Sequence, residues 1–142
     1  MSTSRTTHSS DEKASHETYE SATGRGRELR EQMFGADGVK SHDNADDFQM
    51  PLQDMVTRVC FGDVWSRPTL SLKVRSMLTL AILAGQSRPD QLKNHVKGAI
   101  ANGVSKEEIR EILLHATLYV GLPSGSDSWR QATAALKEIG AY

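Results

Sequence analysis

Residues Thr69–Gly85 read TLSLKVRSMLTLAILAG, and the run Leu70–Leu83 inside them decides the fold. From Met77 to Leu83 every residue except Thr79 is apolar, so no side of this helix is reserved for water. A helix apolar nearly all round is enclosed by other helices or by another subunit. It is too short for a membrane span and opens with Lys73 and Arg75, which makes it a core helix. Gly85 is a natural end for it. Arg67 and Arg75 stand just before and just inside this element. Guanidinium groups beside a water-poor core are either paired or placed to receive an anion.

Working outward, similar periodicities recur. Toward the C terminus, Leu92, Val96, Ala99 and Ile100 form one stripe, closed by Gly103, with His95 on its border. Ser105-Lys106-Glu107-Glu108 is a capping box opening the next helix. Ile109, Ile112, Leu113, Ala116 and Val120 are its apolar face, and Glu108, His115 and Tyr119 form a polar line within roughly 40° of one another. Glu111 stands four residues before His115, within pairing distance on a helix. Gly121-Leu122-Pro123 ends that helix, SGSDS reads as a turn, and Trp129–Ile139 is the last helix.

Toward the N terminus, Pro51 suits the first turn of a helix with Leu52, Met55, Val56 and Val59 inward and Gly62 at its end. The following FGDVWSRP is a connection, in which Pro68 keeps Arg67 off helical geometry. Ala36–Asp47 reads as an acidic loop, and RELREQMF before it as a short helix stopped by Gly35. Residues 1–23 offer little to a core and read as a disordered tail; His8 and His16 within it are two isolated histidines. Residues 24–142 form the single expected domain.

The 142 residues carry 17 basic and 18 acidic side chains, a balance that gives no general affinity for nucleic acid or acidic membranes. The single cysteine, Cys60, excludes an intrachain disulfide and any CxxC motif. It sits beside an apolar stripe as a small hydrophobe. No secretory segment or long apolar span is visible, so a cytoplasmic protein is expected. Alternating apolar and polar runs are absent and prolines number only four, which predicts an all-α fold.

Three words carry a resemblance: FQMPLQDMVTRVCFGDVWSRPTL, VRSMLTLAIL and HVKGAIANGVSKEEIREILLHATLYVGLPSG. In this order and spacing they resemble the carboxymuconolactone decarboxylase family, specifically its small γ-carboxymuconolactone decarboxylase branch. The stretch Gly24–Gly35 is similar to that family's opening G-x-x-x-R-x-x-x-x-G element. The resemblance implies an alkylhydroperoxidase D-like helical bundle, assembled as a homotrimer or homohexamer. It also implies decarboxylation of 4-carboxymuconolactone to the enol-lactone of 3-oxoadipate in protocatechuate degradation, with no metal or organic cofactor.

The peroxidase branch has a CxxC before the helix histidine, where this chain has Arg88 and Gln91. Other departures are Phe61-Gly62 for Trp-Gly, Thr69 for Gly after Arg67-Pro68, and Ser124-Gly125 for Ala-Ala. They bear on which lactone is accepted more than on the fold.

Decarboxylation of a lactone acid needs anchors for carboxylates, donors to an oxyanion and a proton for carbon. Arginines grip carboxylates in a two-pronged manner, and histidine suits proton delivery or oxyanion contact. The expected roles are therefore His95 as proton donor or oxyanion partner, and Arg67 and Arg75 as carboxylate anchors on a small anionic lactone. Glu108, His115 and Tyr119 form a second catalytic candidate cluster. Each has a plainer reading: His95 tied to a backbone carbonyl, Arg75 in an interface ion pair, Glu108 serving only the capping box. Two other functions stay open, a proton transfer or isomerisation on a small unsaturated acid, and a non-catalytic oligomeric ligand-binding protein.

Overall fold

The computed structural model describes the backbone of residues 7–142 and the side chains of residues 19–142. Among these residues the chain is all-helical. No helix among them is long and apolar enough to cross a membrane. The chain divides after Arg67 into two compact units.

The first unit contains α1 (Thr7–Phe34), α2 (Asp37–Asp43), α3 (Met50–Asp54) and a π-helix (Met55–Trp65). Helix α1 continues through most of the stretch read as a disordered tail, and Ala22 is buried. The contact is made by small residues, which leave no apolar stripe in the sequence. A Cβ on Gly26 would stand 2.7 Å from the carbonyl carbon of Thr57, and one on Gly62 would stand 2.8 Å from that of Ala22. Only glycine permits so close a crossing of two helical backbones. The side chains of His8 and His16 lie outside the described residues.

The π-helix corrects two further expectations. Gly62 does not end the second helical segment, which runs on to Trp65 through the stretch read as a connection. Its buried face is Thr57, Phe61, Gly62 and Trp65, whereas Leu52, Met55 and Val59 are exposed. An i→i+5 winding turns the chain differently from the α-helical period on which that stripe is counted. Phe61 meets Phe34 edge-on at 6.2 Å and Trp65 at 5.4 Å. The Ala36–Asp47 loop also contains α2, packed so tightly that a Cβ on Gly38 would stand 2.8 Å from the carbonyl carbon of Arg30. Gly35, at φ 66°, ends α1 as expected.

The second unit contains α4 (Leu72–Gly85), α5 (Pro89–Ala101), α6 (Lys106–Val120) and α7 (Leu122–Glu138). Ser71 caps α4 by accepting from Val74 N–H. Pro89 sits in the first turn of α5, Gly103 at φ 87° follows that helix, and the Ser105/Glu108 capping box opens α6. Helix α7 begins at Leu122, not Trp129. Pro123 lies in its first turn and the SGSDS segment is helical. A Cβ on Gly125 would come within 2.6 Å of Thr117 Cγ2, so the glycine lets α7 start directly against α6. Ser124 Oγ meets Ser87 Oγ at 2.8 Å.

The core of this unit joins Leu80 and Ala84 of α4, Leu92, Val96 and Ala99 of α5, Ile109, Leu113 and Ala116 of α6, and Ala132, Ala135 and Leu136 of α7. Ile139, the last residue of the helix expected there, is exposed beyond the end of α7. Helix α4 is only partly enclosed. Val74, Leu78 and Ile82 are 39%, 50% and 56% exposed, leaving an apolar flank open in the single chain.

Candidate functional site

Helix α4 has two chemically different sides, and the residues singled out in the sequence divide between them. On one side it faces α5. Asn102, immediately after α5, donates from Nδ2 to Ser76 Oγ of α4 at 3.0 Å, and Ser76 is buried. This bond fixes which flank of α5 faces α4. His95 precedes Asn102 by seven residues, which on a helix is a rotation of only roughly 20°. It therefore lies on that same α4-facing flank. The opposite flank carries Lys93 and Lys97, both paired with Glu138 of α7.

Arg75 adjoins Ser76, roughly 100° around α4. Its neighbours Val74, Met77 and Leu78 are turned toward α6, so Arg75 emerges at the edge of the α4–α5 seam remote from α6. Its backbone carbonyl accepts from Thr79 Oγ1 at 2.9 Å. His95 and Arg75 are thus brought to facing helices within one unit. Arg67 is exposed, outside any helix, at the end of the other unit.

Burial lowers the pKa of His95 to about 4 from 6.5. A neutral imidazole is therefore the resting form at pH 7. Such a ring donates a hydrogen bond through one nitrogen and accepts through the other; it is not a store of a readily released proton. Of the two roles expected for His95, contact with an oxyanion fits this charge state, the pattern of a neutral imidazole polarising a carbonyl.

On its other side α4 forms a groove with α6. The groove has a volume of ≈ 740 Å³ and is lined by Val74, Met77, Leu78 and Ala81 against Glu107, Glu108, Glu111, Ile112 and His115. Glu108 belongs here and is engaged twice. Its side chain accepts from Ser105 N–H and pairs with Lys73 Nζ at 2.8 Å. The bond from Lys73, then that from Ser105, hold its carboxyl below the usual range. His115 stacks with Tyr119 at 5.1 Å, and Tyr119 is exposed. Glu111 pairs with Arg110 Nε at 3.3 Å. The Glu108–His115–Tyr119 line is therefore real, but it flanks a groove that His95 and α5 do not line.

Cys60 is half-buried in the π-helix, and burial raises its thiol pKa. A thiol so placed stays protonated and behaves as a small hydrophobe. Among the described residues no three His, Cys, Asp or Glu side chains are grouped to hold a metal ion.

Two buried polar features escaped the reading of the sequence. Arg30 lies inside the first unit, donating to Thr57 Oγ1 and Ser41 Oγ, both at 2.6 Å; the G-x-x-x-R-x-x-x-x-G word contains it but says nothing of its partners. Ser76 and Asn102 are the other. Ser76 is hidden in an apolar run, and Asn102 before Gly103 looks like an ordinary helix end.

Comparison with known proteins agrees with this architecture. The family model described as "Carboxymuconolactone decarboxylase family" matches residues 51–138. The chain is 37% identical over 116 residues to a 4-carboxymuconolactone decarboxylase from Acinetobacter baylyi, covering 81% of this chain and 87% of that protein. It is 43% identical over 100 residues to the nitrosuccinic acid decarboxylase npaB of Metarhizium robertsii, covering 70% of each. The matched region takes in the π-helix and all four helices of the second unit, with His95, Arg75, Ser76 and Asn102 inside it. The chain belongs to the carboxymuconolactone decarboxylase family.

Proposed function

We propose that this chain is a carboxy-lyase that removes carbon dioxide from a small carboxylated lactone, 4-carboxymuconolactone or a close analogue, without a metal or organic cofactor. What carries the reading is the neutral imidazole of His95 on the α4-facing flank of α5, with Arg75 on the facing helix. The two decarboxylase relatives support the reaction class.

In this reaction the bond between the departing carboxylate and its carbon breaks. The electron pair passes into the unsaturated lactone toward the carbonyl oxygen, and a proton from solvent completes the product at carbon. Arg75 holds the substrate's carboxylates through charge-assisted bonds. His95 donates its N–H to the oxygen on which charge develops, and such a donor is worth about 100- to 1000-fold in rate. The Glu108, His115 and Tyr119 line has no part in this scheme. Assembly into a homotrimer or homohexamer, a place in protocatechuate degradation and a cytoplasmic location complete the proposal. The exposed apolar flank of α4 supports the assembly.

The test is carbon dioxide release from 4-carboxymuconolactone by purified protein without added metal. His95→Ala should lower kcat about 100-fold; turnover unchanged in that variant removes the assigned role. The 43% identity to npaB favours nitrosuccinic acid as a second substrate to assay in parallel. Release from it alone would move the assignment to nitro acids. Release from neither acid, with no ligand-induced shift in melting temperature, would favour a non-catalytic protein.

A further inference from the structure

The Asn102 carboxamide is unusual for its place. Its Nδ2 is bonded to Ser76 Oγ, but its Oδ1 is buried with no hydrogen-bond partner. Buried polar atoms in native proteins are nearly always satisfied, and one left alone costs stability. Capping does not explain it. The cap bonds run from the backbone N–H of Asn102 to the carbonyl of Gly98 and from that of Gly103 to the carbonyl of Ile100, and the reversal of chain direction is made by Gly103. The side chain is free of both duties.

The oxygen and nitrogen of a carboxamide occupy equivalent positions and are distinguished only by their partners. With the amide turned over, Ser76 donates its hydroxyl hydrogen to Oδ1 and the spare atom becomes an N–H donor. In the orientation present, Oδ1 has no mate within the chain. An anion alongside would select the orientation that offers the donor.

Its position gives the spare atom a use. Asn102 is seven residues from His95 on the same flank of α5, hence roughly 10 Å further along the seam. Ser76, its clamp, adjoins Arg75 on α4. One level of the α4–α5 seam thus holds His95, and a second level, about one small diacid away, holds Arg75, Ser76 and Asn102.

We propose that Asn102, clamped by Ser76, is a second anchor beside Arg75 for the acid group of the substrate that is retained, making the site selective for diacids. This rests on the carboxy-lyase reading given above. An anchor used equally before and during reaction alters KM and leaves kcat nearly unchanged, so it is distinguishable from loss of His95.

The experiment uses the full chain with Asn102→Ala, Asn102→Asp and Ser76→Ala. Loss of a hydrogen bond to a charged group should raise KM for 4-carboxymuconolactone about 10- to 100-fold in Asn102→Ala, with kcat within threefold. Asn102→Asp, which sets a carboxylate against a carboxylate, should raise it further. Ser76→Ala, which frees the amide to turn, should raise it less. A monoacid lactone should be handled equally by wild type and Asn102→Ala. Unchanged KM in Asn102→Ala and Asn102→Asp, with thermal unfolding showing both folded, overturns the inference and leaves the carboxy-lyase reading intact; it would mean a buried water satisfies the amide. If Asn102→Ala does not fold, the KM of Ser76→Ala decides in the same way. If wild type releases no carbon dioxide, the carboxy-lyase reading fails and calorimetric titration with the saturated lactone diacid decides. Binding weakened tenfold or more in the variants supports the anchor; equal binding, or none, overturns it.

Discussion

His95 should make the protein sensitive to mild acid, and replacing it should remove that sensitivity. Its imidazole has a pKa of about 4 in the folded chain against 6.5 for a histidine open to water. A lowered folded-state value means that the unfolded chain binds the proton more readily. Stability from this source is therefore complete above pH 6.5, declines as pH falls, and levels off below pH 4. At about 1.4 kcal/mol per unit of pKa difference, the group costs about 2 kcal/mol at most between pH 7.5 and pH 5. Partial exposure of the ring reduces this toward about 1 kcal/mol. The depressed carboxyls of Asp43, Glu108 and Glu138 act lower, being ionised throughout that window and lost only as pH falls below their unfolded values. Urea unfolding at pH 7.5 and pH 5, at fixed protein concentration, isolates the histidine. Wild type should lose about 1–2 kcal/mol more than His95→Gln, whose side chain stays neutral. Equal losses in the two proteins would refute the desolvated imidazole, and with it the neutral donor on which the proposed chemistry depends.

Two more outcomes follow from the packing. Gly26→Ala should destabilise by about 1–3 kcal/mol in urea, because backbone of the π-helix stands where the methyl must go; Gly24→Ala, with open space at the same helix, should be neutral or stabilising by about 0.5–1 kcal/mol. Equal effects at the two positions would deny the close crossing. Leu78→Glu, on the exposed flank of α4, should lower the assembled mass measured by light scattering while the chain stays folded; an unchanged mass would remove that flank from any interface.

The second unit is largely legible in the sequence because its helices obey the ordinary rules. The stripe Leu92, Val96 and Ala99 is buried where the period places it, and the Ser105/Glu108 box is formed in full. Where reading fails, the cause is backbone rather than side chain. The first unit packs through Ala22, Gly26 and Gly62, and close approach by small residues leaves no apolar signature. A π-helix has no familiar pattern, so the α-helical period sends Met55 and Val59 inward where the chain does not follow it. At α7 the turn-like SGSDS segment is overridden by Pro123 at the helix start and by the space that Gly125 leaves for Thr117. The candidate site is half legible. His95 and Arg75 stand out by residue type, while Ser76 and Asn102 acquire meaning only from the bond between them.

The apolar excess of α4 and the placement of the site belong to one problem. Ser76, Leu80 and Ala84 satisfy the inner face of this helix. Ile82 lies seven residues after Arg75, hence on the same flank, and remains 56% exposed. A single chain therefore leaves the apolar flank beside the Arg75 edge of the α4–α5 seam open to water. Fixed donors act strongly on a developing charge only where water is excluded, since screening by solvent weakens every electrostatic contact. Covering the Ile82 flank with a second copy would bury apolar surface, at about 25 cal/mol for each Å² removed from water. The same step would dry the edge where Arg75 emerges. Assembly and catalysis would then draw on one surface, which gives a physical reason for the helix to be greasier than its own chain requires.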